Sequence, residues 1–198
     1  MPVTDEKLVR VLQSMRRQDS LYACYKDPAI LSGNLNMNEW KNQNFKGAWG
    51  FPVADRLLQN ITNHEIRFDA IVSVPTGGDF WAQKLVQLTQ RVHGHSVPLY
   101  RVHKEWKHEF SIIDGQPLPQ DGRLLVVDDT FYSGKTAKRL CQFMVENGFT
   151  IAGVATLVEL QGEGGGARKH WNDGDPPVIS VFNEKFLKKN GYPKKLAA

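Results

Sequence analysis

Leu124-Leu125-Val126-Val127-Asp128-Asp129-Thr130-Phe131-Tyr132-Ser133-Gly134-Lys135-Thr136 is the stretch whose reading decides the fold. Four consecutive branched apolar residues suit a strand buried on both faces, as happens where crossover helices cover both sides of a parallel sheet. Two acids and a small-residue turn follow. From Lys135 to Asn147 the residues Ala137, Leu140, Cys141, Met144 and Val145 recur at spacings of three and four, which predicts a helix with one apolar face. A buried strand that ends in acids, turns and opens a helix is the usual ligand position in an open α/β sheet.

Outward from this segment the pattern repeats. Strands are expected at Phe68 to Val74, Val97 to Val102, Arg123 to Val127, Thr150 to Val158 and Val178 to Phe182, with a further helix from Gly78 to Arg91 and Gly148 closing the helix that starts at Lys135. Alternation of this kind predicts an α/β fold, an open and mainly parallel sheet flanked by helices. The first part of the chain differs: a helix from about Asp5 to Arg17, a turn-rich Asn/Gly stretch from Ser32 to Gly50 and a helix around Val53 to Ile61. Residues 1–62 are read as a small N-terminal hood and 63–198 as the α/β core, with Gly162 to Gly166 as a mobile loop.

Composition bounds the function classes. The 198 residues are 41% hydrophobic and 23% charged, ordinary for a soluble globular protein, and contain no run of about 18 apolar residues that would predict a membrane helix. The acidic start, Met1 to Glu6, leads into no apolar run, so no secretory signal is read and a cytoplasmic location is expected. Cys24 and Cys141 lie far apart, Cys141 on a helix's apolar stripe, and no disulfide is expected. A formal charge of +4 suits nucleic acid or phosphorylated metabolites alike.

The chemistry of the turn separates those two. A helix N-terminus offers backbone N–H groups and the positive end of its dipole, so Tyr132 to Thr136 is prepared for a phosphate. Gly134 lets the backbone approach the anion, and the Ser133 and Thr136 hydroxyls add donors. Asp128 and Asp129 would repel phosphate, so their expected partners are sugar hydroxyls or a hydrated cation. Ribose 5-phosphate satisfies both halves; the plain alternative is that the acids merely cap the helix. An ATP-type P-loop is excluded, because it needs a glycine where Asp129 stands.

Two further segments bear on the site. Pro75-Thr76-Gly77-Gly78-Asp79 is a second strand-to-helix turn whose glycines free backbone N–H groups, though such a turn is often only connecting geometry. Arg101-Val102-His103-Lys104-Glu105-Trp106-Lys107-His108-Glu109 is a dense basic run, read either as a solvated face, as a nucleic-acid patch or as a lid over an anion.

The segment from Leu124 to Thr136 resembles the 5-phosphoribosyl-1-diphosphate (PRPP) signature of the type I phosphoribosyltransferase family. That resemblance implies the family fold, with Asp128 and Asp129 on the ribose hydroxyls and Thr130, Tyr132, Ser133, Gly134, Lys135 and Thr136 forming the PRPP loop around the 5′-phosphate. It makes Thr76, Gly77 and Gly78 a diphosphate loop. The basic run is similar to the catalytic loop of orotate phosphoribosyltransferases, matching at Lys104, Glu105 and Lys107 and departing at His103, Glu109 and Phe110. Lys104 and Lys107, with Asp128 and Asp129, are therefore the expected catalytic residues.

Ala29 to Gly33 and Leu157 to Gly165 also resemble orotate-enzyme segments. At the base-clamping arginine this chain has Leu160, and at a commonly basic position Leu31. Leucine cannot give a carboxylate the paired charge-assisted bonds of arginine, so either Arg168 reaches in from the glycine-rich turn or the base lacks a carboxylate; Leu160 and Arg168 are the expected base-site residues, for orotate or another pyrimidine-like base. The resemblance further implies Mg²⁺ carried mainly by PRPP, with Asp128 and Asp129 as the nearby protein groups, and a homodimer sharing the mobile basic loop that bears Lys104 and Lys107. The expected partners are PRPP and a nucleobase; neither membrane nor nucleic acid is expected. The alternative function is a PRPP-binding regulator of the same fold without transferase activity.

Overall fold

The computed structural model describes residues 4–17, 50–73, 77–104, 110–115, 117, 121–159 and 170–190. Two helices, α1 (Asp5–Arg17) and α2 (Gly50–Asn63), precede a core of β1 (Ala70–Ser73), α3 (Asp79–His93), β2 (Leu99–Lys104), β3 (Phe110–Asp114), β4 (Arg123–Phe131), α4 (Lys135–Glu146), β5 (Thr150–Glu159), β6 (Val178–Phe182) and α5 (Glu184–Lys189). The strands form a six-stranded sheet in the order β3-β2-β1-β4-β5-β6. All neighbours are parallel except β2 and β3.

The apolar runs of the central strands are buried on both faces, as their composition requires. Ala70, Val72, Leu124, Val126 and Val154 pack with Leu140, Cys141 and Met144 of α4 on one face. On the other, Ile71, Leu125, Val127 and Ala155 meet Trp81 and Leu85 of α3 and Val53, Leu57 and Ile61 of α2. Leu8 and Val11 of α1 join that second cluster, and Arg56 of α2 donates to the Asp5 carboxylate, tying the two N-terminal helices together.

The expected open, mainly parallel sheet is present, with three differences of extent. β4 does not stop at Val127 but runs through Asp128, Asp129 and Thr130 to Phe131, because β5 continues alongside it, pairing Thr130 with Val158 and Phe131 with Glu159. β3 is an additional strand; its exposed Ile112 and Ile113 on an edge hide the buried-face pattern that marks the others. α5 is an additional short helix, opened by the Asn183 side chain accepting from the Phe186 N–H at 2.9 Å. The expected turn-rich stretch before α2, Leu31 and the glycine loop at 162–166 lie outside the described residues.

Candidate functional site

The strand order locates a site without reference to any side chain. From β1 the chain steps outward to β2 and β3, then returns to place β4 on the other side of β1. The crevice at the carboxyl ends of β1 and β4 is thus the point where the direction of winding reverses, the usual ligand position of an open α/β sheet. Both helices that leave this point, α3 and α4, start from a glycine, Gly78 and Gly134, and neither N-cap is occupied by a side-chain hydrogen bond. Their first-turn N–H groups and dipoles make the crevice attractive to anions.

The two acids stand at the floor of the same crevice. Asp128 and Asp129 are half-buried, and the Asp129 N–H donates to Asp128 Oδ1 at 2.8 Å. Gly77, from the turn after β1, lies directly against them: a Cβ there would fall 2.8 Å from both Asp128 Oδ1 and Asp129 Oδ1. The loop from β1 and the acids of β4, far apart in the sequence, therefore converge, and the place of a side chain at Gly77 is already taken by carboxylate oxygens. Two converging carboxylate oxygens can accept from vicinal hydroxyls or stand beside a hydrated hard cation. Among the described residues no cluster of three or more His, Cys, Asp or Glu surrounds a metal position.

The turn after β4 is built to hold one shape. Gly134 has φ +75°, the left-handed conformation that favours glycine, and a Cβ there would lie 2.9 Å from Phe131 Cζ and 3.3 Å from Trp171 Cε3. Trp171 packs its ring edge-on to Phe131 at 5.3 Å and donates from Nε1 to the Pro176 carbonyl at 3.0 Å. The His170 N–H donates to the Ser133 carbonyl at 3.0 Å, joining the turn to the segment before β6. That segment is fastened to α4 by Asp175, which accepts from Lys138 Nζ at 2.9 Å and from the Asn172 N–H at 2.7 Å. The Asn172 backbone donor, then the Lys138 ammonium, hold the Asp175 carboxyl below its ordinary range.

The remaining expected residues divide as follows. Thr130 is the penultimate residue of β4; Ser133 is half-buried in the turn, Lys135 exposed and Thr136 half-buried in the first turn of α4. Tyr132 packs partly against the apolar cluster that contains Trp81, so within the turn its backbone is the part left to face an anion. Gly77 and Gly78 precede α3. Lys104 is exposed at the end of β2, opposite Phe110 at the start of the antiparallel β3. Thr76, Lys107, Leu160 and Arg168 lie outside the described residues.

Several residues of this surround were missed by sequence reasoning. Ser73 and Asp79 pair across a single turn and carry no motif of their own, whereas His170 and Asp175 meet Ser133 and Lys138 only through the strand order. Nothing near Trp171 in the chain assigns it to the turn. Glu159, buried at the end of β5, accepts from Ser180 Oγ at 3.3 Å; this too depends on the pairing of β5 with β6.

The sequence profile of the phosphoribosyl transferase domain matches residues 50–188. The chain belongs to this family. The chain is 30% identical over 117 residues to the orotate phosphoribosyltransferase of Aeropyrum pernix, the match covering 59% of this chain and 59% of that protein. It is 31% identical over 88 residues to the bifunctional protein PyrR of Brevibacillus brevis, over 39% of this chain and 49% of that one. The chain thus spans roughly half to three-fifths of these curated relatives' lengths. The crystal structure of the Aeropyrum pernix orotate phosphoribosyltransferase is similar with a TM-score of 0.53 at 29% identity, covering 71% of this chain and 75% of that chain. That of the Francisella tularensis orotate phosphoribosyltransferase shares the fold with a TM-score of 0.57 at 19% identity, covering 73% of each chain. No helix among the described residues is long and apolar enough to cross a membrane.

Proposed function

We infer that this phosphoribosyltransferase binds PRPP in the crevice between β1 and β4 and transfers its 5-phosphoribosyl group to a nitrogenous base, orotate or another pyrimidine-like base, with release of diphosphate. The observation that carries the reading is the contact of Gly77 with Asp128 and Asp129 between two glycine-capped helix starts. It brings two helix starts, whose N–H groups suit anions, beside two carboxylates that suit hydroxyls, and PRPP carries two phosphate ends and a ribose diol.

In this reading Asp128 and Asp129 accept from the ribose 2′- and 3′-hydroxyls. The PRPP loop, Thr130 and Tyr132 to Thr136, takes the 5′-phosphate, and Thr76, Gly77 and Gly78 take the diphosphate. A ring nitrogen of the base bonds to the anomeric carbon as the bond to diphosphate oxygen breaks; the electron pair of that bond leaves with diphosphate, and the proton of the ring N–H passes to solvent. Asp128 and Asp129 stabilise the positive charge that develops on the ribose ring. Lys104 and Lys107 close over the departing diphosphate and neutralise it, an effect strongest where water is excluded. Mg²⁺, with Asp128 and Asp129 nearby, would add further neutralisation of diphosphate charge. Leu160 and Arg168 border the base, and a homodimer shares the loop that bears Lys107.

The test is diphosphate release from PRPP and Mg²⁺ with orotate, uracil, the purines and nicotinate in turn. Turnover with one base is the expected result and names the substrate. Saturable PRPP binding without turnover on any base would replace the enzyme by the regulatory reading, and absence of PRPP binding would remove both. Lys107→Ala should lower turnover far more than PRPP affinity; equal loss of both would end its transition-state role.

A further inference from the structure

The turn assigned to diphosphate carries an acid where an anion is to bind. Asp79 is the first residue of α3, immediately after Gly77 and Gly78. Its charge suits the helix dipole, yet a carboxylate turned toward the crevice would compete with diphosphate for the same N–H groups and repel it. The structure turns it elsewhere. Ser73, the last residue of β1, is completely buried, and its hydroxyl donates to Asp79 Oδ1 at 2.5 Å, within the range of a charge-assisted O–H···O⁻ bond.

The bond joins the two ends of the glycine turn. Ser73 is held between its register partners Arg101 of β2 and Val127 of β4, so its hydroxyl has a fixed place in the middle of the sheet. Asp79 is thereby anchored to that place, and α3 with it. On the crevice side the same turn is limited by Gly77 against Asp128 and Asp129. Gly77 and Gly78 thus lie between two fixed points, the Ser73–Asp79 bond and the acids of β4.

We propose that Ser73 and Asp79 form a clasp that positions the glycine turn for the diphosphate end of PRPP and withholds the Asp79 charge from it. Neither is a catalytic residue; both act through the backbone of the turn. The proposal rests on the PRPP reading above and adds to it a pair of positioning residues on β1 and α3.

The experiment compares two ligands in the presence of Mg²⁺ by calorimetry: PRPP, and ribose 5-phosphate, which lacks the diphosphate but keeps the diol and the 5′-phosphate. Ser73→Ala and Asp79→Ala should weaken PRPP at least tenfold and leave ribose 5-phosphate within about twofold. Asp79→Asn keeps an acceptor oxygen for Ser73 and removes the charge, so it should retain PRPP affinity within about threefold of wild type, and it serves where an alanine variant does not fold. Equal weakening of both ligands by Ser73→Ala, or no weakening of either, would overturn the clasp, as would Asp79→Asn losing PRPP as fully as Asp79→Ala. A wild-type protein that binds ribose 5-phosphate but not PRPP would also overturn it; one that binds neither would instead remove the PRPP reading on which it rests.

Discussion

Gly77→Ala is the smallest change that tests the convergence of the two loops. The added methyl would meet Asp128 Oδ1 and Asp129 Oδ1 at 2.8 Å and Asp129 Cγ at 2.9 Å, short of ordinary contact at 3.4 Å by about 0.6 Å. Both oxygens belong to side chains that can turn, so stability should fall by about 1 kcal/mol, the low end of what an inserted methylene costs in a packed site. The site cannot absorb it so easily, because Asp128 Oδ1 is already engaged by the Asp129 N–H at 2.8 Å and the two carboxylates are displaced together. A hydrogen bond to a charged group contributes roughly 1.5–3 kcal/mol, so losing one to the ribose diol corresponds to roughly ten- to hundredfold weaker binding. Calorimetric titration with PRPP and Mg²⁺, beside a thermal melt, reads both quantities. Gly174→Ala, where an added Cβ meets nothing within 4 Å, is the control and should change neither. A folded Gly77→Ala protein with wild-type PRPP affinity would refute the reasoning.

Other positions give independent checks. Gly134→Ala places a side chain at φ +75° and against Phe131 and Trp171, and should cost about 1–3 kcal/mol in urea unfolding while weakening ribose 5-phosphate as well as PRPP. Asp175 titrates below its ordinary range, so its stabilisation is present above the unfolded value near about pH 4 and is lost as pH falls through the folded one. Asp175→Asn should therefore be less stable than wild type at pH 7, with the difference closing on acidification below about pH 4. The Cys141 thiol is pushed up to about 12, chiefly by burial and then by the Asp175 charge; in a Cys24→Ser background a thiol reagent at pH 8 should leave native protein unmodified and react once it is unfolded.

The fold was legible in the sequence where burial dictates composition. Leu124 to Val127 reads as a strand covered on both faces because it is one, and the α4 stripe reads as a helix because Leu140, Cys141 and Met144 meet the sheet. Legibility failed where a neighbour, not the local residues, makes the element. Asp128, Asp129 and Thr130 look like a strand's end, yet they stay in β4 because β5 keeps pairing with them. Phe110 to Asp114 has no buried-strand pattern because β3 is an edge that leaves Ile112 and Ile113 exposed. The site was legible as two separate turns, each with its own glycine; that Gly77 touches the acids follows only from the return of the chain that sets β4 beside β1. Ser73 and Asp79 were silent for a related reason, since a buried serine and a first-turn acid are each ordinary alone.

The account depends most on Asp128 and Asp129 holding a ribose diol beside two anion sites. Titration of PRPP with Mg²⁺ into wild type and into the Asp128→Asn, Asp129→Asn double variant tests this most directly. Wild type should bind saturably with one PRPP per chain, and the double variant at least tenfold more weakly with its melting temperature nearly unchanged. Wild type that does not bind PRPP, or a double variant that binds it as tightly as wild type, would contradict it.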